Sequence, residues 1–178
     1  MSRFEDVQDF MLAFGQQVRD VPTTDITPEE QLLRARLVFE EAMEFVDAMG
    51  CAVVHDMGQW QIMLKSEYNN AESADIDLPE AADALADSLV VIYGSFATLG
   101  IEPKSVFDEV HRSNMAKLGP NGQPILREGD RKVLKPEGWT PPNIAGVLIE
   151  QGWRCGCPDR DPYAGCHRHQ VTKRGILS

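Results

Sequence analysis

VFEEAMEFVDA, Val38–Ala48, sets Glu40, Glu41 and Glu44 side by side, with Asp47 just beyond. The stretch belongs to a helix, because Leu32, Leu33, Leu37, Phe45 and Met49 follow a helical period up to Gly50. Glu40 and Glu44 lie four residues apart and Glu41 and Glu44 three, so all three occupy one side of that helix, and each close pair of like charges costs a few tenths of a kcal/mol. Water commonly screens such a face, and a solvated acidic helix is the ordinary reading. A second acidic helix decides between that reading and a site.

That second helix is DLPEAADALADSLVVIYGSFATLG, with Pro79 near its start and Gly100 at its end. Glu80, Asp83 and Asp87 recur at steps of three and four among Ala, Leu, Val and Ile, so they form one carboxylate stripe on an otherwise apolar rod expected to be central to the core. No Lys or Arg stands between Asp75 and Gly100 to neutralise it. A bound cation is the natural compensator. Oxygen ligands without His or Cys suit a hard ion such as Mg²⁺, and a structural Ca²⁺ site is the competing explanation. Two antiparallel helices facing each other through these acids would build a cage of about four carboxylates inside a helical bundle.

Between and around these helices the chain punctuates itself clearly. Phe4, Val7, Met11 and Phe14 predict an amphipathic helix ending near Gly15, and Thr27, Pro28 and Glu30 predict a capped helix start. The segment from Cys51 to Asn70 fits two structures: a short hairpin turning at Asp56, Met57 and Gly58, or one helix from Gln59 to Asn69. A further helix opens at Glu102 or Pro103 and closes by Gly119 and Pro120. From Asn121 to Pro142 the residues predict a loop with one short hairpin around Lys132, and a short helix runs from Asn143 to Gln151. No internal repeat or low-complexity tract is present. The expected fold is all-α, a bundle of four or five helices with a loop-rich C-terminal tail. The domain is placed at residues 1–150 and the tail at 151–178.

The chain has 178 residues and a formal net charge of −11, a balance that argues against a general nucleic-acid surface. Its apolar runs are too interrupted for an expected membrane span, and FEDVQDFMLAFG at the start is no secretory leader, so a cytoplasmic location is expected. The tail differs in composition: from Gln151 onward, five Lys/Arg face two Asp/Glu, and three of the four cysteines stand there. Cys155, Cys157 and Cys166 with His167 or His169 offer the soft and imidazole ligands that Zn²⁺ prefers, with Cys155, Cys157, Cys166 and His169 the set named for structural Zn²⁺. CxC is tighter than the usual CxxC, and free cytosolic thiols are the reading this competes with.

EEAME, followed by ADALADSLVVIYGSFATLGI, resembles the all-α nucleoside triphosphate pyrophosphohydrolases of the MazG and phosphoribosyl-ATP pyrophosphohydrolase group. FDEVHRSNMAKLGPNGQPI and GDRKVLKPEGWTPPNI are similar to bacteriophage members in particular, and the likeness covers about Phe4 to Leu148. The resemblance implies hydrolysis of a nucleoside triphosphate between its α and β phosphates, giving a monophosphate and pyrophosphate. By analogy with phage relatives the substrate is a purine nucleotide, (d)GTP. The alternative is a metal-dependent nucleotide-binding or scaffold protein without turnover.

Carried onto this sequence, the metal ligands are Glu41 and Glu44 with Asp83 and Asp87, holding Mg²⁺ for which Mn²⁺ can substitute. The family's second motif is usually ExxD, whereas Ala84 stands three residues before Asp87 and Asp83 four before it. Glu80 with Asp83 is the other placement of the pair, and both keep one stripe. Glu40 or Glu41 would take the proton of the attacking water. Asn114 and Lys117 would meet sugar or phosphate oxygens, with Arg112 and Lys132 as further phosphate contacts; a surface charge is the plain alternative for the latter two. Phe4, Phe14, Trp60 and Tyr93 could each stack on a base, or simply form core, and none is singled out. The resemblance and the exposed apolar stripe of so short a bundle both point to a homodimer or homotetramer. If the chain is phage-encoded, it would act in the host cytoplasm.

Overall fold

The computed structural model describes residues 2–56, 58–69 and 75–154. Its elements follow in the order α1 (Arg3–Ala13), α2 (Pro28–Ala48), β1 (Cys51–Asp56), β2 (Gln59–Leu64), α3 (Lys65–Asn69), α4 (Leu78–Leu99), α5 (Pro103–Met115) and α6 (Ile144–Glu150). Among the described residues the fold is all-α except for one two-stranded antiparallel sheet, β1 with β2, and two isolated β-bridges. The cysteines and histidines of the expected zinc set lie outside the described residues.

The helix starts are written in local chemistry. Thr27 accepts a hydrogen bond from the Glu30 N–H while Glu30 accepts one from the Thr27 N–H, and Pro28 occupies the first helical position, where no N–H is needed. Ser2 and Glu5 form the same reciprocal box on α1. The segment after α2, which fitted two structures, is a hairpin: Cys51 pairs with Leu64, Val53 with Ile62 and His55 with Trp60. A helix follows it only as the short α3. The Lys65 N–H donates to Gly50 O at 2.8 Å and the Asp77 N–H to Ala48 O at 2.9 Å, so both ends of this excursion return to the C-terminal turn of α2.

Contacts divide the chain into two units, built from the described parts of Met1–Val18 with Asp25–Thr98 and of Arg19–Thr24 with Leu99–Ser178. In the first, Val7 and Met11 of α1 meet Ala97 of α4, with Phe4, Val18 and Tyr93 packed around them. The rings of Phe4 and Tyr93 lie 5.9 Å apart and tilted, so these two aromatics belong to the core. α4 buries its small residues, Ala81, Ala84, Gly94, Ala97 and Thr98, and leaves large ones open: Leu85 is 50% exposed and Leu89 56%. It was expected at the centre of the core; instead, one edge of it faces outward. Its length and composition would suffice to cross a bilayer. Asp83 and Asp87 stand inside it, where a carboxylate at the centre of a membrane costs about 2.5–3.5 kcal/mol, so we read α4 as a helix of a helical domain.

In the second unit the Glu102 carboxylate caps α5 by accepting from the Lys104 and Ser105 N–H groups. Gln151, at the end of α6, donates to Glu102 O at 2.9 Å and accepts from the Glu102 N–H at 2.8 Å. α5 ends at Met115, earlier than the closing Gly119 predicts. Beyond it, bridges pair Leu118 with Pro124 and Leu126 with Val133, which gives the expected short hairpin around Lys132. The Trp139 indole N–H donates to Ser113 O at 2.8 Å and the Ser113 hydroxyl to Thr140 O at 3.1 Å, pinning the loop to α5.

Candidate active site

On α2, Arg34, Glu41 and Ala48 are spaced by seven and share the inward side, while Leu32 and Phe39 point the other way, 55% and 65% exposed. Gly94 and Asp87 of α4 share a side by the same spacing. A Cβ on Gly94 would stand 2.9 Å from the Arg34 guanidinium, and Asp87 and Asp83 both act electrostatically on Glu41. The antiparallel register of the two helices follows: Arg34 lies against Gly94, and Glu41 against Asp87.

This register brings the expected acids into one neighbourhood. The Glu41 carboxyl is pushed above its ordinary value, first by burial and then by Glu44, Asp87, Glu40 and Asp83. Its Oε2 atom is enclosed and has no hydrogen-bond partner. Among the described residues no Lys or Arg forms an ion pair with Glu40, Glu41, Glu44, Asp83 or Asp87. An enclosed carboxylate oxygen without a donor, ringed by four further acids, fits an oxygen-binding divalent cation. Among the described residues no three Asp, Glu, His or Cys side chains converge to coordination distance, so the arrangement is a carboxylate neighbourhood and not a formed ligand shell.

Towards the C-terminal end of α2 the neighbourhood opens into a cleft of about 760 Å³, lined by Glu44, Asp47, Asp77, Glu80, Asp83 and Lys65 among others. Asp77 also holds the first turn of α4 by accepting from the Glu80 N–H at 3.2 Å. Asp77 and Lys65 were not among the residues the sequence singled out. Asp77 precedes its helix and so falls off the stripe, and Lys65 sits in the segment whose structure was ambiguous.

The amide and basic candidates all stand in the second unit. Asn114 is the penultimate residue of α5, and its Oδ1 accepts from Lys117 Nζ at 2.8 Å, so these two are held as a pair. The Arg112 guanidinium grips Glu109 through two hydrogen bonds of 2.7 and 2.8 Å. Glu109 also accepts from the Asn143 N–H at 2.6 Å, and these donors, Arg112 foremost, hold its carboxyl down at about 2. Arg112 would have to release Glu109 to meet a phosphate. Lys132 lies in the small hairpin, its N–H donating to Asp130 Oδ1 at 3.1 Å. Of the remaining aromatics, Phe14 lies tilted against Phe10 with ring centroids 4.6 Å apart, and Trp60 is 71% exposed beside His55.

The profile of a family described as phosphoribosyl-ATP pyrophosphohydrolase matches residues 7–114, a span that holds both acidic helices and ends on Asn114. No curated protein matches the chain. Among solved structures, that of a candidate NTP pyrophosphohydrolase from Exiguobacterium sp. 255-15 is 32% identical, with 85% of this chain and 94% of that one covered and a TM-score of 0.39.

Proposed function

The chain belongs to the phosphoribosyl-ATP pyrophosphohydrolase family, and from that membership we propose that it hydrolyses a nucleoside triphosphate to the monophosphate and pyrophosphate. The observation that carries the reading is the enclosed, partnerless Glu41 oxygen with four further carboxylates, from α2 and α4, acting on its carboxyl. Water would attack the α phosphorus, forming a new oxygen–phosphorus bond as the bond to the bridging β oxygen breaks. The electron pair leaves with pyrophosphate, and the water's proton passes to a carboxylate of the chain.

Glu40 and Glu41 are the two candidates for that last role, Glu41 being the one with an enclosed, partnerless oxygen. Glu41, Glu44, Asp83 and Asp87 would hold Mg²⁺, or Mn²⁺ in its place; such an ion neutralises polyphosphate charge and makes a nearby water more acidic. Asn114 and Lys117, already paired, would present an amide and an ammonium to sugar or phosphate oxygens, with Arg112 and Lys132 as further phosphate contacts. The preferred substrate we propose is (d)GTP, on the likeness to phage enzymes, and the place of action the cytoplasm.

Self-association belongs to the same proposal. Among the described residues the buried apolar side chains are few and mostly small, while Leu32, Phe39, Leu85, Leu89 and Ile92 stand open on α2 and α4. Apolar stripes of this kind on long helices are ordinarily covered, and a second copy of the same helices would cover them as a homodimer or homotetramer.

The test is product identification. Incubation with each NTP and dNTP plus Mg²⁺ should release pyrophosphate and the monophosphate. Inorganic phosphate as first product would indicate another hydrolase, and nucleotide binding with no product a sensor or scaffold; either outcome overturns the reading.

A further inference from the structure

Resting on the reading above, we infer that Lys65 is the group of this site that receives the polyphosphate tail of the substrate. A triphosphate entering a cleft lined by Glu44, Asp47, Asp75, Asp77, Glu80 and Asp83 meets strong like-charge repulsion, and Lys65 is the one cation among the described cleft-lining residues. Its placement is built. It follows directly on the hairpin, and its N–H donates to Gly50 O at 2.8 Å, so the backbone is anchored to the end of α2.

The ammonium is held ready at the rim. Nζ pairs with Asp47 Oδ1 at 2.7 Å and donates to Asp47 O at 3.2 Å, a carbonyl of the last helical turn. An ammonium has three donors, so one is left for a ligand, and the Asp47 carboxylate is 74% exposed, which makes the pair weak and readily exchanged for a phosphate. Glu41 is joined to this cleft by Glu44 and Asp83, which act on its carboxyl and line the same cleft as Lys65. With the α phosphorus near Glu41, the leaving pyrophosphate extends towards Lys65.

The test measures binding of inorganic tripolyphosphate and of pyrophosphate, with Mg²⁺ present, by calorimetry on the full chain. Lys65→Met should weaken both at least about tenfold, and Lys65→Arg, which keeps the charge, should recover most of the loss. Binding of the nucleoside monophosphate should be unchanged, and circular dichroism should show the same helical content in all three proteins. Equal affinity for tripolyphosphate in wild type and Lys65→Met, or no binding by the wild type, overturns the inference. These readouts do not depend on turnover: a chain that binds tripolyphosphate through Lys65 yet releases no pyrophosphate from any nucleotide would sink the proposed activity and leave the Lys65 assignment standing.

Discussion

At Glu41, burial and four neighbouring carboxylates act in one direction, against its charge. Glutamine keeps the shape of the side chain and removes that charge, so Glu41→Gln should preserve the fold. We expect Glu41→Gln, Glu44→Gln and Asp87→Asn each to lower turnover by at least about 100-fold, the scale of a lost proton acceptor or ligand, with helical content unchanged by circular dichroism. Near-normal turnover in all three would remove the proposed site. Glu109 is the opposite case. Arg112 and the Asn143 N–H hold its carboxyl at about 2, below its unfolded value, so its stabilising contribution is complete above the ordinary carboxylate range and is lost as pH falls towards 2. The melting temperature of Glu109→Gln should therefore trail wild type at neutral pH and converge on it in acid; a gap that widens in acid would contradict the assignment.

Among the elements, α4 is defined by what its ends and close approaches forbid. Gly100, just past the helix, has φ near +69°, and a Cβ there would stand 2.2 Å from the carbonyl oxygen of Val21. The obstacle is backbone, with no flexible end to swing aside. Gly100→Ala should cost about 1–3 kcal/mol, the range of an overpacked interior, plus the strain of a left-handed alanine, and urea unfolding would measure it. A loss within error would mean that the Arg19–Thr24 segment adapts. Gly94 is milder: what a Cβ would meet is the tip of Arg34, which also donates to Gln16 Oε1 at 2.6 Å and so ties the connection after α1 to α2. The hairpin tells the same story at its own scale, since an apolar segment of that length suits strand or helix until the turns at its ends are seen.

For the whole molecule, the open apolar side chains of α2 and α4 are the feature that a lone chain leaves unexplained. Sedimentation at micromolar concentration should give the mass of two or four chains. Phe39→Asp, placed on the outward stripe of α2 opposite Glu41, should shift the protein to single chains and lower its melting temperature. A wild type that sediments as one chain at all concentrations would end this part of the reading.

The sequence by itself determined the long helices, the Thr27 cap and the existence of two acidic stripes, because these follow from short-range spacing: three and four residues for a face, and Thr-Pro-x-Glu for a start. It also set apart α4 as a helix whose acids had no basic residue nearby in the chain. Only the tertiary structure decided that Glu41 faces Asp87, that Arg34 faces Gly94, and that Asp77 and Lys65 line the same cleft. Register between two helices is fixed by which side chains can approach across the gap, and a lysine brought back by a hairpin to the end of α2 leaves no periodic trace in the sequence.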